Sequence, residues 1–263
     1  MSGKSVEAYA EQLDQAWQSK TPIEPFSESV GLTSVEDAYA IQTHWTKMRE
    51  ARGERIAGRK IGLTSLAIQK QLGVSEPDYG NIWESSHYQT THNRVEIAAS
   101  DFLQPRVEAE VAFLIGRPLS GPHVTAQEVL AATDALGLVV EIVASRIADW
   151  RIKLVDTIAD NASYGGFVLG QWDRKLLTAD LRLLGFTIHK NGAHTGEGVG
   201  AAAMGHPAVS VAWLANKLTE FNVSLQPGDV VLSGGVTPMQ PVSAGDVFTV
   251  QMIGQSPLHM RFV

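Results

Sequence analysis

Two glutamates, two residues apart in an otherwise apolar run, are the feature of this sequence best suited to chemistry. The stretch RVEAEVAFLI at 106–115 has the alternation of a β-strand, in which every second side chain shares a face. Val107, Ala109, Val111, Phe113 and Ile115 form one apolar face. Glu108 and Glu110 stand side by side on the other, followed there by Ala112 and Leu114. Their Cα atoms are expected about 6.6 Å apart, at a rise of ~3.3 Å per residue. Two carboxylates that close in a dry site repel each other unless a cation lies between them. A divalent metal with hard oxygen ligands meets that need. The plainer alternative is an exposed strand face with two solvated glutamates.

A third carboxylate, Glu141, lies inside the apolar run LGLVVEIV at 136–143. An acid there needs a partner. Arg146 or Arg151 would serve as a simple ion pair; alternatively Glu141 completes a three-carboxylate site for Mg²⁺ or Mn²⁺, with positions left for water and substrate. Lys60, in GRKIGLTS at 58–65, is flanked by apolar residues and glycines. It reads either as a proton shuttle or substrate-binding cation, or as an ordinary lysine on an edge strand. In DTIADNAS at 156–163, Asp156 and Asp160 share a helical face and each needs a partner; Asn161 and Ser163 read as caps.

The elements that would position these groups follow from periodicity. Val6, Tyr9, Leu13 and Trp17 form one helical stripe, and Val35, Ala38, Ile41 and Trp45 form a second, starting near Ser34 and ending near Gly53. Residues 56–64 read as a strand. Residues 65–73 read as a short helix capped by Ser65 and ended by Gly73, and 74–100 as a polar, turn-rich connection of a length that is often functional, with loop 74–90 expected to close over the substrate. Strands are expected at 106–115, 136–143, 164–169, 182–190, 229–234, 246–252 and 258–263, with helices at 125–134, 150–160 and 208–221. Asn191-Gly192 marks a hairpin. Without regular βαβ alternation, the pattern predicts an α+β fold with a mixed, rolled sheet. The expected division is a mainly helical lobe at 1–75 packed against a β-rich catalytic part at 76–263.

Composition narrows the function. A 44% hydrophobic chain with 19% charged residues supports a core and argues against disorder. A net charge of −7 argues against nucleic-acid binding. The absence of cysteine excludes disulfides, thiolate metal sites and a cysteine nucleophile. It suits the cytoplasm, as does an N-terminal segment lacking the apolar core of a signal peptide. No apolar run is long enough for a membrane span. GEGVGA at 196–201 imitates a dinucleotide fingerprint but follows a hairpin instead of opening a helix. His189 and His194 lack zinc-binding spacing, and no nucleophile elbow is present.

Taken together, GRKIGLTS at 58–65, QLGVSEPDYG at 71–80, LQPRVEAEVAFLI at 103–115, VVEIVASRIADW at 139–150, LVDTIADNASYGGFVLG at 154–170, MGHP at 204–207, WLAN at 213–216 and GDVVLSGG at 228–235 resemble the 2-keto-4-pentenoate (2-hydroxypenta-2,4-dienoate) hydratases of the fumarylacetoacetate hydrolase superfamily. The resemblance runs from about residue 5 to the C-terminus. It implies a β-sheet roll with an N-terminal helical lobe, assembled as a homo-oligomer. It also implies Glu108, Glu110 and Glu141 as metal ligands, Lys60 as the active-site lysine, and Asp78, Asp156 and Ser163 near the pocket. The implied reaction is metal-dependent hydration of 2-hydroxypenta-2,4-dienoate to 4-hydroxy-2-oxopentanoate in aromatic-compound catabolism. Lys60-Ile61 and Pro77-Asp78-Tyr79-Gly80 fit hydratases better than the related 4-oxalocrotonate decarboxylases. Those decarboxylases remain the second enzymatic reading, and a complex with a pathway decarboxylase, even as a non-catalytic partner subunit, the third.

Overall fold

The computed structural model describes residues 3–65, 69–70, 74 and 76–263. The expected helix at 65–73 and its Gly73 terminus therefore lie largely outside the described residues. Helix α1 spans Gly3–Ser19, a short α2 Phe26–Ser29 and α3 Val35–Ala51. The Ser34 side chain accepts the Asp37 amide at the start of α3, satisfying one of the donors that a helix N-terminus leaves open. Leu13, Ile41 and Trp45 from the two expected stripes are buried, so α1 and α3 pack their apolar faces inward.

Among the described residues the strands form two mixed sheets. The larger runs β2 (Asp78–Trp83), β1 (Ile56–Gly62), β9 (Val230–Leu232), β4 (Arg106–Ile115), β5 (Thr133–Val143), β6 (Tyr164–Leu169), with β10 (Gln240–Pro241) also on β4. The smaller runs β3 (Arg94–Ile97), β12 (Leu258–Phe262), β11 (Val247–Met252), β7 (Gly185–Lys190), β8 (Ala193–Val199). Pairing is antiparallel except for β1 with β9 and β12 with β3. Helices α4 (Ala126–Ala132), α5 (Leu154–Ala159) and α6 (Pro207–Leu218) complete the α+β arrangement. The expected division near residue 75 falls between β1 and β2, which pair with each other.

The turn-rich reading of 74–100 needs correction. Asp78–Trp83 is a strand buried along its whole length, and Arg94–Ile97 is another strand. The turn-forming Asp78, Gly80 and Asn81 mask the first one in the sequence. Tertiary bonds override that preference: the Asn81 side chain donates to Thr46 Oγ1 at 2.8 Å, and its backbone N–H donates to Asn161 Oδ1 at 2.7 Å. The expected closure of loop 74–90 over the substrate does not hold for Asp78–Trp83, which is a buried strand of the sheet.

Candidate active site

The site begins with strand register. β4 and β5 pair so that Glu108 lies directly opposite Glu141, with Glu110 two residues along β4. Glu110 and Glu141 are fully buried, and Glu108 is partly open. One carboxylate oxygen from each can be chosen so that all three lie within 4.8 Å of one another. Like charges directly across a ladder are destabilising, and burial makes the repulsion worse. Burial, aided by the Glu141 charge and opposed by Lys60, pushes the Glu108 carboxyl up to about 8. Burial with the charges of Glu141 and Glu108 pushes Glu110 well above its ordinary range.

The protein leaves oxygens of this cluster unsatisfied. Gly234 N–H donates to Glu110 Oε2 at 2.6 Å, but Glu110 Oε1 and Glu141 Oε2 receive no hydrogen bond from the described residues. Glu141 Oε1 meets the Lys60 ammonium at 3.0 Å. Backbone spacing keeps the cluster open: a Cβ on Gly235 would stand 2.0 Å from Glu108 Oε2. Hard, anionic oxygens with spare lone pairs around a small space are the donor set that Mg²⁺ and Mn²⁺ take. The residues fit such an ion.

Lys60 is buried on β1. Its Nζ donates to the Ala162 carbonyl at 2.9 Å. Burial alone would lower its affinity for a proton, yet Glu141, Asp78, Glu108 and Glu110 outweigh burial and hold it above the ordinary lysine range. It is therefore a cation here and not a surface residue. Asp78 opens β2 beside it. Asp78 Oδ2 accepts from Thr157 Oγ1 at 3.0 Å, while Oδ1 is buried without a hydrogen-bond partner among the described residues. Burial raises the Asp78 carboxyl against the opposing pull of Lys60. Gly62 makes the approach feasible, since a Cβ there would meet Asp78 Oδ1 at 2.1 Å and Lys60 Nζ at 3.5 Å.

Other expected residues have different places. Ser163 lines the cavity and donates to Asp160 Oδ2 at 3.2 Å. Asp156 is buried but is not part of the cavity wall. Its carboxylate accepts from the Ser27 N–H at 2.9 Å, Ser27 Oγ at 2.6 Å and Lys153 N–H at 2.9 Å, tying α2 to α5. Neither arginine proposed for Glu141 reaches it. Arg146 is bound to Asp160, with Nε 2.5 Å from Oδ1, and Arg151 is held at the surface by Glu24 and Glu28.

Sequence reasoning missed several contributors. Asn161 and Ser163 are not simple caps: with Ala162 between them they have left-handed backbones, with φ of 54°, 51° and 51° for 161, 162 and 163. This turn aims the Ala162 carbonyl at Lys60. Asp149 and Trp150 are also left-handed, and Trp150 lines the cavity. Thr157 and Thr237 also line it; Thr237 Oγ1 accepts from Ala109 N–H at 3.0 Å. The signal nearest to these positions was the density of polar residues at 156–163. The cavity that gathers Lys60, Asp78, Glu108, Thr157 and Ser163 has a volume of about 380 Å³, within the range of small-molecule sites.

A carboxylate triad on paired strands of a mixed sheet, beside a buried lysine, defines the class. The family model for the fumarylacetoacetate (FAA) hydrolase C-terminal region matches residues 58–263, and the chain belongs to the fumarylacetoacetate hydrolase family. It is 41% identical over 263 residues to a 2-hydroxyhexa-2,4-dienoate hydratase of Comamonas testosteroni, covering 100% of this chain and 99% of the relative. It is 42% identical over 262 residues to a 2-keto-4-pentenoate hydratase of Paraburkholderia xenovorans, covering 100% and 96%. Among solved structures, 4-oxalocrotonate decarboxylase from Pseudomonas putida G7, complexed with magnesium and adipate, superposes with a TM-score of 0.95 at 34% identity, covering 100% of this chain and 99% of that one. The same enzyme has been solved with calcium and acetate.

Proposed function

We propose that this protein is a metal-dependent hydratase of 2-hydroxypenta-2,4-dienoate-type acids, yielding 4-hydroxy-2-oxo acids. The observation that carries the reading is the buried Glu108–Glu110–Glu141 cluster with unsatisfied oxygens, set beside Lys60 and Asp78. Relatives that are 41–43% identical over nearly the full chain are named as hydratases, which supports hydration over the decarboxylase alternative, whose solved representative is 34% identical.

Glu108, Glu110 and Glu141 would hold Mg²⁺ or Mn²⁺, which when bound would supply Lewis-acid polarisation of the 2-oxo acid. The chain's own groups do the rest. Lys60 presents a fixed ammonium to the developing negative charge at the C2 oxygen. The dienol takes a proton at C5 as it ketonises, giving a 2-oxo-3-enoate. Water then bonds to C4, and C3 takes a proton, so that one water is added overall. Asp78 Oδ1 is the oxygen placed to hold that water and pass its proton, with Thr157 fixing the other carboxylate oxygen. Ser163 lines the same wall and positions the Asp160 side of the turn. Asp156 acts through structure, by anchoring α5.

The same reading places the enzyme in the cytoplasm as a homo-oligomer, which light scattering checks. Its chemistry is tested by supplying enzymatically generated 2-hydroxypenta-2,4-dienoate with Mg²⁺ or Mn²⁺ and following loss of its ultraviolet absorbance. Metal-dependent loss that EDTA abolishes, with 4-hydroxy-2-oxopentanoate as product, is expected. Absence of turnover with metal present, together with decarboxylation of 4-oxalocrotonate, overturns the reading.

A further inference from the structure

Lys60 is held from two sides. Glu141 Oε1 lies 3.0 Å from its ammonium, and the Ala162 carbonyl accepts one of its N–H groups at 2.9 Å. The two contacts differ in kind. A carboxylate draws the charge from any direction, whereas a hydrogen bond fixes a direction. The side chain is buried, which leaves the ammonium little freedom but rotation about its Cε–Nζ bond. Fixing one of its three N–H groups then aims the other two. Lys60 lines the cavity, so the Ala162 carbonyl sets where those protons point. Without that carbonyl the ammonium turns freely and is drawn onto the Glu108–Glu110–Glu141 cluster.

The carbonyl sits in a strained backbone. Asn161, Ala162 and Ser163 are left-handed in succession and none is glycine. Such strain persists only where the surroundings over-determine it, and here they do. Asn161 Oδ1 accepts from the Asn81 N–H at 2.7 Å, and its Nδ2 donates to the Asn81 carbonyl at 2.9 Å. Asn81 follows Gly80, which is the residue of β2 opposite Lys60 on β1. A Cβ on Gly80 would stand 2.3 Å from the Asn161 carbonyl oxygen and 2.9 Å from its carbon, so glycine is what lets the turn lie this close to the strand. The contacts close a ring: Lys60 to Gly80 across the sheet, Asn81 to Asn161 by two hydrogen bonds, and Ala162 back to Lys60.

Building on the reading of Lys60 as the active-site cation, we propose that Asn161 and Gly80 are positioning residues of the reaction. They hold the left-handed turn on β2 so that the Ala162 carbonyl aims the Lys60 ammonium at the substrate's C2 oxygen. Neither lines the cavity, and both act through Lys60.

The test uses a step that requires neither hydration nor decarboxylation. The full chain with Mg²⁺ is given 2-oxopentanoate in D₂O, and exchange at C3 is followed by proton NMR. C3 gives up a proton to Asp78, the electron pair moves to the C2 oxygen beside Lys60, and a deuteron returns to C3. Asn161→Gly keeps a residue that accepts the left-handed backbone but removes the brace. It is expected to lower kcat for exchange about 10-fold, with KM and calorimetric Mg²⁺ affinity within roughly threefold of wild type. In a Lys60→Met background the same change is expected to cost less than about twofold, because residues that act as a unit do not add. Gly80→Ala goes through the same cycle with the same expectation, so the proposal stays open to refutation if Asn161→Gly does not fold. Equal slowing with and without Lys60, or a loss of Mg²⁺ affinity that matches the loss of kcat, overturns the proposal, as does a wild type that exchanges no faster than buffer. A coupled loss of exchange in a chain that fails to hydrate 2-hydroxypenta-2,4-dienoate sinks the hydratase reading and leaves the positioning role standing. Hydration with an uncoupled loss does the reverse.

Discussion

Glu110 is a metal ligand on the function proposed above. It is fully buried, raised by its neighbours' charge, and satisfied at one oxygen only. Replacing it with glutamine keeps an acceptor for Gly234 N–H and removes one of three repelling charges. Glu110→Gln is therefore expected to weaken Mn²⁺ binding by roughly 100-fold or more, beyond the usual effect of residues that only support a ligand, while the metal-free chain melts no lower than wild type; calorimetry and a thermal melt read the two effects. Lys60→Met is expected to cut kcat by about 10²–10⁴-fold with Mn²⁺ affinity retained, as measured by steady-state kinetics beside the same titration. The three glutamates were legible in the sequence because strand alternation puts 108 and 110 on one face and an isolated acid in an apolar run needs a partner. The pairing of Lys60 with Glu141 was not, because it joins strands 81 residues apart in number (141 against 60), and no local pattern records it.

At the scale of elements, the left-handed turn at 161–163 carries the most consequence. Non-glycine residues pay about 1–2 kcal/mol each in that conformation, and here the turn is braced by Asn161, whose side chain both accepts from Asn81 N–H and donates to the Asn81 carbonyl at 2.9 Å. Ala162→Gly is expected to raise stability by about 1 kcal/mol in urea unfolding. A second element-level device joins α1 to α3. Asp14 accepts from Trp45 Nε1 at 2.9 Å, Arg52 at 2.6 and 2.8 Å, and Gln18 at 2.6 Å. Burial would raise its carboxyl, but Arg52, Trp45 and Gln18 outweigh burial and hold it below the usual range. A carboxyl lowered on folding stabilises the protein above its unfolded value, near about pH 4, and that contribution disappears as pH falls through the lower folded value. Wild type should therefore lose more stability than Asp14→Asn between pH 5 and pH 3, as read from urea midpoints. Helices α1 and α3 were legible because amphipathic stripes and a serine cap are local signals. Strand β2 was not, since its turn-forming residues are held extended by partners from α3 and the 161–163 turn.

For the whole molecule, the Arg146–Asp160 pair joins the end of β5 to the end of α5. Arg146 also donates to the carbonyls of Ala144, Tyr164 and Asp160. Arg146→Leu strands a buried carboxylate and is expected to destabilise the fold by about 3–5 kcal/mol, seen as a lower urea midpoint without a change in slope. The α+β class was readable from the order of elements. The larger sheet's strand order was not, because β9 inserts between β1 and β4, which arrive much earlier in the chain. That insertion has a consequence for synthesis. The ribosome delivers Lys60, Glu108 and Glu141 long before β9 and the Gly234–Thr237 wall, and β3 must wait for β12. Until β9, the Gly234–Thr237 wall and β12 emerge, the nascent chain carries a cluster of carboxylates with no finished pocket around it. Its hydrophobic strand faces stay uncovered for most of translation, and that is the interval in which chaperones would have to act.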